Sequence, residues 1–312
     1  MAPPARPPSA RAPAGDLALL AVAVVAVSTS APLIAGADAP ALAIAFWRNA
    51  LSLPVLAVWL VARRDERRGW RARSSRDRHL SRVAGLFLAA HFATWIPSLS
   101  YTSVASSVAL VATQPVWAAL IASRRGEHIH RQTWAGIAVA LSGTLLLTGV
   151  DLSISSEALF GDVLALLGGM LAAAYVTVGS EVRQRVSTVS YALACYSTAA
   201  VVLLGLCLVT AQPLRGYPED TWLAILGLVV GAQLLGHTLV NVVLRSISAT
   251  AVSVAILFEI VGATLIARVA LDETPHAAAL PAGILIAIGV VMVIRSDQDA
   301  DADLVDPGGL LT

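Results

Sequence analysis

Gln233, His237, Asn241 and Arg245 stand four residues apart, a spacing that sets donors, acceptors and a titratable ring along one side of a helix with gradual drift. His91 and Trp95 repeat that interval in another apolar stretch. A third polar position, Glu259, lies in the run AVSVAILFEIVGATLIARVALDETP, about ten residues into an apolar span and so roughly 15 Å deep at a rise of about 1.5 Å per residue. A carboxylate at that depth costs about 3 kcal/mol to insert, so it faces other helices or water and marks a functional position by default. Gln114 and Arg48 complete the set, each inside an otherwise apolar segment. Imidazole changes charge near neutral pH, a carboxylate takes and gives a proton, and amides and indoles orient a solute. Together they suit reversible capture of a solute, with or without a proton, rather than bond-making: the chain has no H-E-x-x-H and no G-x-S-x-G motif.

Each residue also has a plainer reading. His91 and His237 are equally explained as core histidines bonded to a carbonyl, Gln114 and Asn241 as hydrogen-bonding glue between helices, and Trp95 as packing. Arg48 reads as a structural residue that snorkels to the outer interface or pairs with another helix end. Glu259 itself has the alternative of an interhelical hydrogen bond. Glu127 and Glu273 fall at span ends and read as caps or turn anchors.

The elements that position these groups are membrane spans. The chain of 312 residues is 57% hydrophobic and 13% charged, with mean hydropathy +0.76; the pattern predicts an all-α membrane protein of ten transmembrane helices, at 16–36, 41–62, 82–101, 104–123, 133–150, 161–181, 189–210, 220–243, 249–270 and 279–295. No loop is long enough for a separate catalytic module. All 21 basic residues are Arg, which excludes a Walker A lysine and Schiff-base chemistry. Cys195 and Cys207 share one apolar segment and read as small buried hydrophobes. No cofactor or metal is expected; the alternating Asp residues after Arg295 lack the glycine and closing Glu of a calcium loop.

Charge sets the orientation. With the N-terminus inside, eighteen Arg fall in cytoplasmic segments, nine of them from Arg63 to Arg82, against Arg215 and Arg268 outside. The positive-inside rule therefore places both termini in the cytoplasm. The segment 63–82 reads as facing lipid headgroups; without interleaved aromatics beyond Trp70 it does not read as a nucleic-acid surface. Residues 1–14 and 296–312 are expected to be disordered tails. The first apolar run, with Arg6 and Arg11 ahead of it, is shaped like a signal peptide, but its opening recurs later in the chain, so it reads as a retained element.

That recurrence extends through both halves. Gly15-Asp16-Leu17 returns as Gly161-Asp162-Val163, Gln114-Pro115-Val116-Trp117-Ala118 as Glu259-Ile260-Val261-Gly262-Ala263, Gly126-Glu127 as Asp272-Glu273, and Ala135-Gly136-Ile137 as Ala282-Gly283-Ile284. Two repeats, 15–150 and 161–295, each hold five spans, an odd number, so the second lies inverted. Inverted repeats permit alternating access to a site near the midplane.

At these residues the chain resembles the EamA-type members of the drug/metabolite transporter superfamily. The resemblance runs over about 15–295. It rests on Phe46-Trp47-Arg48, on Tyr101 followed by a Ser/Ala-rich fourth span, on Pro115 with Gly126-Glu127 and Gly136, and on Phe258-Glu259 with Asp272-Glu273 and Gly283. It implies a ten-helix bundle that exports small metabolites, amino-acid-like compounds or drugs without ATP. The family commonly has Pro after the Glu of the ninth span; here Ile260 stands, which predicts a straighter helix. The expectation is a secondary carrier whose partners are a small organic solute, the bilayer and protons, with Glu259, His237, Asn241, Gln233, His91, Trp95, Gln114 and Arg48 as substrate or coupling residues. The alternative is a passive facilitator or channel, with a membrane-embedded enzyme a distant third.

Overall fold

The structure, a computed structural model, describes residues 14–102, 104–148, 155–270 and 279–305. Asp272, Glu273 and nearly all of the expected N-terminal tail lie outside these residues. In chain order the helices are α1 (Ala14–Ser28), α2 (Ser30–Ala35), α3 (Ala41–Ala50), α4 (Ser52–Ala62), α5 (Arg64–Ala72), α6 (Ser75–Ser98), α7 (Val104–Val111), α8 (Gln114–Arg124), α9 (Arg131–Thr148), α10 (Ser156–Arg183), α11 (Thr188–Val209) and α12 (Glu219–Leu228). A π-helical segment, Val229–His237, follows, then α13 (Thr238–Val243), α14 (Ala249–Ile256), α15 (Phe258–Ala270) and α16 (Ala279–Val305). Among the described residues there is no strand.

Among the described residues six stretches are long and apolar enough to cross a bilayer: Ala14–Ile34, Ala41–Ala62, Ser106–Arg124, Ser156–Arg183, Thr188–Val209 and Glu219–Val243. Ala249–Gly262 and Leu280–Ser296 are shorter apolar helices. α6 begins before its apolar part because Ser74 caps it: the Ser74 hydroxyl accepts from the Asp77 N–H at 3.0 Å. Ser155, Ser187 and Ser248 cap α10, α11 and α14 in the same way.

Two expectations need correction. Residues 296–305, expected to be a disordered acidic tail, continue α16 to Val305; nothing in the sequence stops that helix before Pro307 and Gly308. The ninth-span helix was expected to run straighter for lack of a proline after Glu259. It breaks at Leu257, where α14 ends and α15 begins, and the Ile260 N–H bonds the Leu257 carbonyl at 3.3 Å, one residue short of α-helical register. Close packing accompanies the break: a Cβ on Gly262 would collide with the Ser28 hydroxyl. The kink expected near Pro32 is present, α1 ending at Ser28 and α2 starting at Ser30, with the Ser28 and Thr29 hydroxyls bonded back to the Val24 and Ala26 carbonyls.

The segment 63–82 holds the short helix α5, with Asp65 and Glu66 in its first turn. Beside it an ion network ties α6 to α10: Arg76 to Glu181 at 2.7 Å and Arg185 to Asp77 at 3.0 Å, with Arg125 at 3.5 Å from Glu181. Burial alone pushes the Asp77 carboxyl up, but the Ser74 hydroxyl and the Arg185 guanidinium outweigh it and hold the group below its usual range.

Several helix pairings recur when the halves are exchanged. α1 lies on the π segment and α13, as α10 lies on α6; α1 also meets α15, as α10 meets α8. α3 pairs with α11, α8 with α14 and α9 with α16, each a contact of one half with its own counterpart. The breaks correspond too, at Ala112 between α7 and α8 and at Leu257 between α14 and α15. At the helix ends the Asp16 carboxylate accepts from the Ser246 hydroxyl, and Asp162 accepts from Thr102 at 2.7 Å.

Candidate functional site

Arg48, in the last turn of α3, is 1% exposed and lies between the halves rather than at an interface, so the snorkelling expectation fails. Its Nε donates to Gln233 Oε1 at 3.0 Å and its Nη1 to the Ser30 hydroxyl at 3.4 Å. The guanidinium carbon stands 4.3 Å from the centroid of Phe92. Gln233 in turn donates to Asn49 Oδ1 at 3.2 Å, so the carboxamide links α3 to the π segment. A π turn widens the helix and shifts its register, and such turns gather at functional positions. Here close contact with α1 accompanies it: a Cβ on Gly236 would meet Val27 at 2.4 Å and one on Gly231 would meet Thr29 at 2.9 Å.

His91 and His237 flank the same aromatic wall. His91 Nδ1 is 3.0 Å from the Gly168 carbonyl oxygen, which can only accept, so Nδ1 carries the proton and Nε2 is the acceptor of the neutral ring. The ring stacks on Trp95 at 5.6 Å and 11°. His237 meets Phe92 edge-on at 5.7 Å and Tyr175 at 6.2 Å. Tyr175 donates to Asn241 Oδ1 at 2.9 Å, and Asn241 Nδ2 donates to the Tyr196 hydroxyl at 3.4 Å. The reading of His91 as a carbonyl-bonded histidine and its reading as a site residue therefore describe one geometry.

Glu259 opens α15 directly after the break. Arg48, His91 and His237, from α3, α6 and the π segment, share the Phe92 ring as a common neighbour. Among the described residues Glu259 forms no ion pair within 4.0 Å. Gln114 is brought elsewhere: its Nε2 donates to the Ser253 hydroxyl at 3.0 Å, joining α8 to α14. Arg245 is exposed and takes no part. Ser30, Asn49, Phe92, Tyr175 and Tyr196 belong to the neighbourhood and were not singled out from the sequence. The two tyrosines carried a signal, each being a phenol inside an apolar helix whose hydroxyl must find a partner.

No three His, Cys, Asp or Glu side chains among the described residues gather closely enough to hold a metal ion. A separate cavity of about 720 Å³, lined by His128, His130, Arg131, Gln132, Trp134 and Ser296, sits at the α8–α9 turn and contains none of the clustered residues.

The chain matches the EamA-like transporter family twice, over residues 14–149 and 159–295. It is 26% identical over 253 residues to an uncharacterized transporter of Archaeoglobus fulgidus, covering 80% of this chain and 86% of that one. Its fold is similar to that of a protein of known crystal structure at a TM-score of 0.75 and 20% identity, covering 91% of this chain and 96% of the other.

Proposed function

We propose, since the chain belongs to the EamA-like transporter family, that it is a secondary carrier moving a small organic solute across the membrane by alternating access. The observation that carries this reading is the polar cluster around Arg48, assembled where the two halves meet and flanked by the broken fourth and ninth spans. In an inverted-repeat carrier the site lies at that meeting, where broken helices leave backbone free to rearrange.

The ten-helix architecture belongs to the proposal. Six apolar spans and two shorter apolar helices join with α6 and α9 to give ten crossings in two inverted sets of five. α6 carries Arg76, Asp77, Arg78 and Arg82 ahead of its apolar part, which is why composition alone does not mark it. The packing that survives exchange of the halves supports the repeat, the Arg distribution supports cytoplasmic termini, and the family resemblance supports export.

Glu259 is proposed as the coupling carboxylate, through a proton. The experiment is counterflow in proteoliposomes with wild type and Glu259→Gln. Saturable exchange is expected for wild type, with a pH dependence that the variant loses. Flux that rises linearly with solute and shows no counterflow would replace the carrier with a passive facilitator. Full-rate transport with unchanged pH dependence in Glu259→Gln would remove that residue from coupling.

A further inference from the structure

Arg48 is a buried cation whose hydrogen-bonded partners are both neutral, a carboxamide and a hydroxyl. Among the described residues no carboxylate lies within 4.0 Å of it, and its Nη2 meets no acceptor. A guanidinium withdrawn from water without an anion is costly, and an unmade bond at a charged donor costs more than one at a neutral donor. A second donor-only group, the Trp95 indole N–H, is also buried without an acceptor. Both donors adjoin one aromatic wall. Arg48 covers Phe92, whose ring lies 5.1 Å from that of His91, and His91 stacks on Trp95. Phe92 and Trp95, three residues apart on α6, are neighbours on one helix face.

What these groups lack is an acceptor with negative charge. Among the described residues Glu259 forms no ion pair with Arg48. A cationic solute would have to approach a buried guanidinium, and a neutral alcohol would leave its charge unmatched. We propose that the central site takes an organic monocarboxylate, its oxygens accepting from Arg48 Nη2 and from the Trp95 indole, with its apolar body against Phe92, Tyr175 and His237. This rests on the carrier reading for its physiological meaning, but the binding itself is tested apart from transport. Recognition follows from the planar fork of Arg, which a carboxylate matches in geometry as well as charge.

The test uses the purified full chain in nanodiscs with three probes of nearly one shape: benzoate, benzyl alcohol and benzylamine. Thermal unfolding and calorimetric titration are measured for wild type, Arg48→Gln, Arg48→Lys and Trp95→Phe. Benzoate alone is expected to stabilise the wild type, with affinity falling about tenfold or more in Arg48→Gln and less in Arg48→Lys. Trp95→Phe keeps the ring and removes the donor, so it is expected to weaken benzoate severalfold while leaving the unliganded protein stable. Arg48→Gln could fail to fold, since Arg48 joins α3 to α2 and the π segment; Arg48→Lys and Trp95→Phe then decide. Equal or tighter binding of the amine or alcohol, no benzoate binding to wild type, or benzoate binding unchanged in both of those variants would overturn the assignment. Counterflow of a neutral or cationic solute without carboxylate binding would sink the assignment and keep the carrier. Benzoate binding lost with Arg48, in a protein showing no counterflow, would keep the site and sink the carrier.

Discussion

At the scale of single residues, the chemistry visible in the sequence was the chemistry of type and depth. A lone Glu in an apolar run and histidines at four-residue intervals announce themselves, because each has a desolvation cost that a structure must offset. Arg48, His91, His237, Trp95, Gln233 and Asn241 do converge on one neighbourhood. Partners whose side chains are unremarkable in type, such as Phe92 and Asn49, could not be named, since sequence spacing carries no information on which face of a distant helix meets them. Asp77 shows how a partner alters a group's behaviour outside the apolar region. Its carboxyl titrates below its usual range, so the stability it contributes is present above the ordinary Asp value of about 3.9 and is lost as pH falls through the lower, folded value. Asp77→Asn is expected to cost about 0.5–1 kcal/mol at neutral pH, a modest figure because Arg185 is 45% exposed. Denaturation followed from pH 7 to pH 2 should show the wild type losing that increment below about pH 4, while the variant's stability is flatter; parallel curves would mean that Arg185 does not hold the carboxylate.

At the scale of elements, apolar length and the proline in Ser28-Thr29-Ser30-Ala31-Pro32 were legible, and the kink stands where the sequence put it. The break at Leu257 and the π segment were not, for one reason: neither has a proline, and both depend on how closely another helix approaches. Glycine is the residue that permits such approach, and α9 against α16 is the clearest case. A Cβ on Gly289 would lie 2.5 Å from the Gly136 carbonyl oxygen, and one on Gly136 would lie 2.9 Å from the Gly289 carbonyl. Backbone cannot swing aside as a side chain can. Gly289→Ala is therefore expected to destabilise by about 1–3 kcal/mol through forced separation of the two helices. Gly205, in α11, has nothing within 4 Å of a built Cβ, so Gly205→Ala should be neutral or slightly stabilising through its higher helix propensity. Thermal unfolding of the two variants side by side separates packing from propensity; equal effects would remove close approach as the role of Gly289.

At the scale of the whole molecule, the two-fold relation is the property from which the others descend. Gly15-Asp16 and Gly161-Asp162 open the two family matches, and each Asp accepts from a hydroxyl at the end of the other half's third span, Ser246 for Asp16 and Thr102 for Asp162. In the proposed architecture five crossings separate the two positions, so an inverted arrangement would put them on opposite sides of the bilayer, the first inside by the distribution of Arg. Parallel repeats would put them on the same side. Both native cysteines are free and buried, which leaves a quiet background for labelling. Gly15 and Glu157 are exposed at the starts of α1 and α10. Gly15→Cys is expected to react with a membrane-impermeant maleimide only in inside-out vesicles, and Glu157→Cys only in right-side-out vesicles. Reaction of both variants from one side would break the inverted repeat.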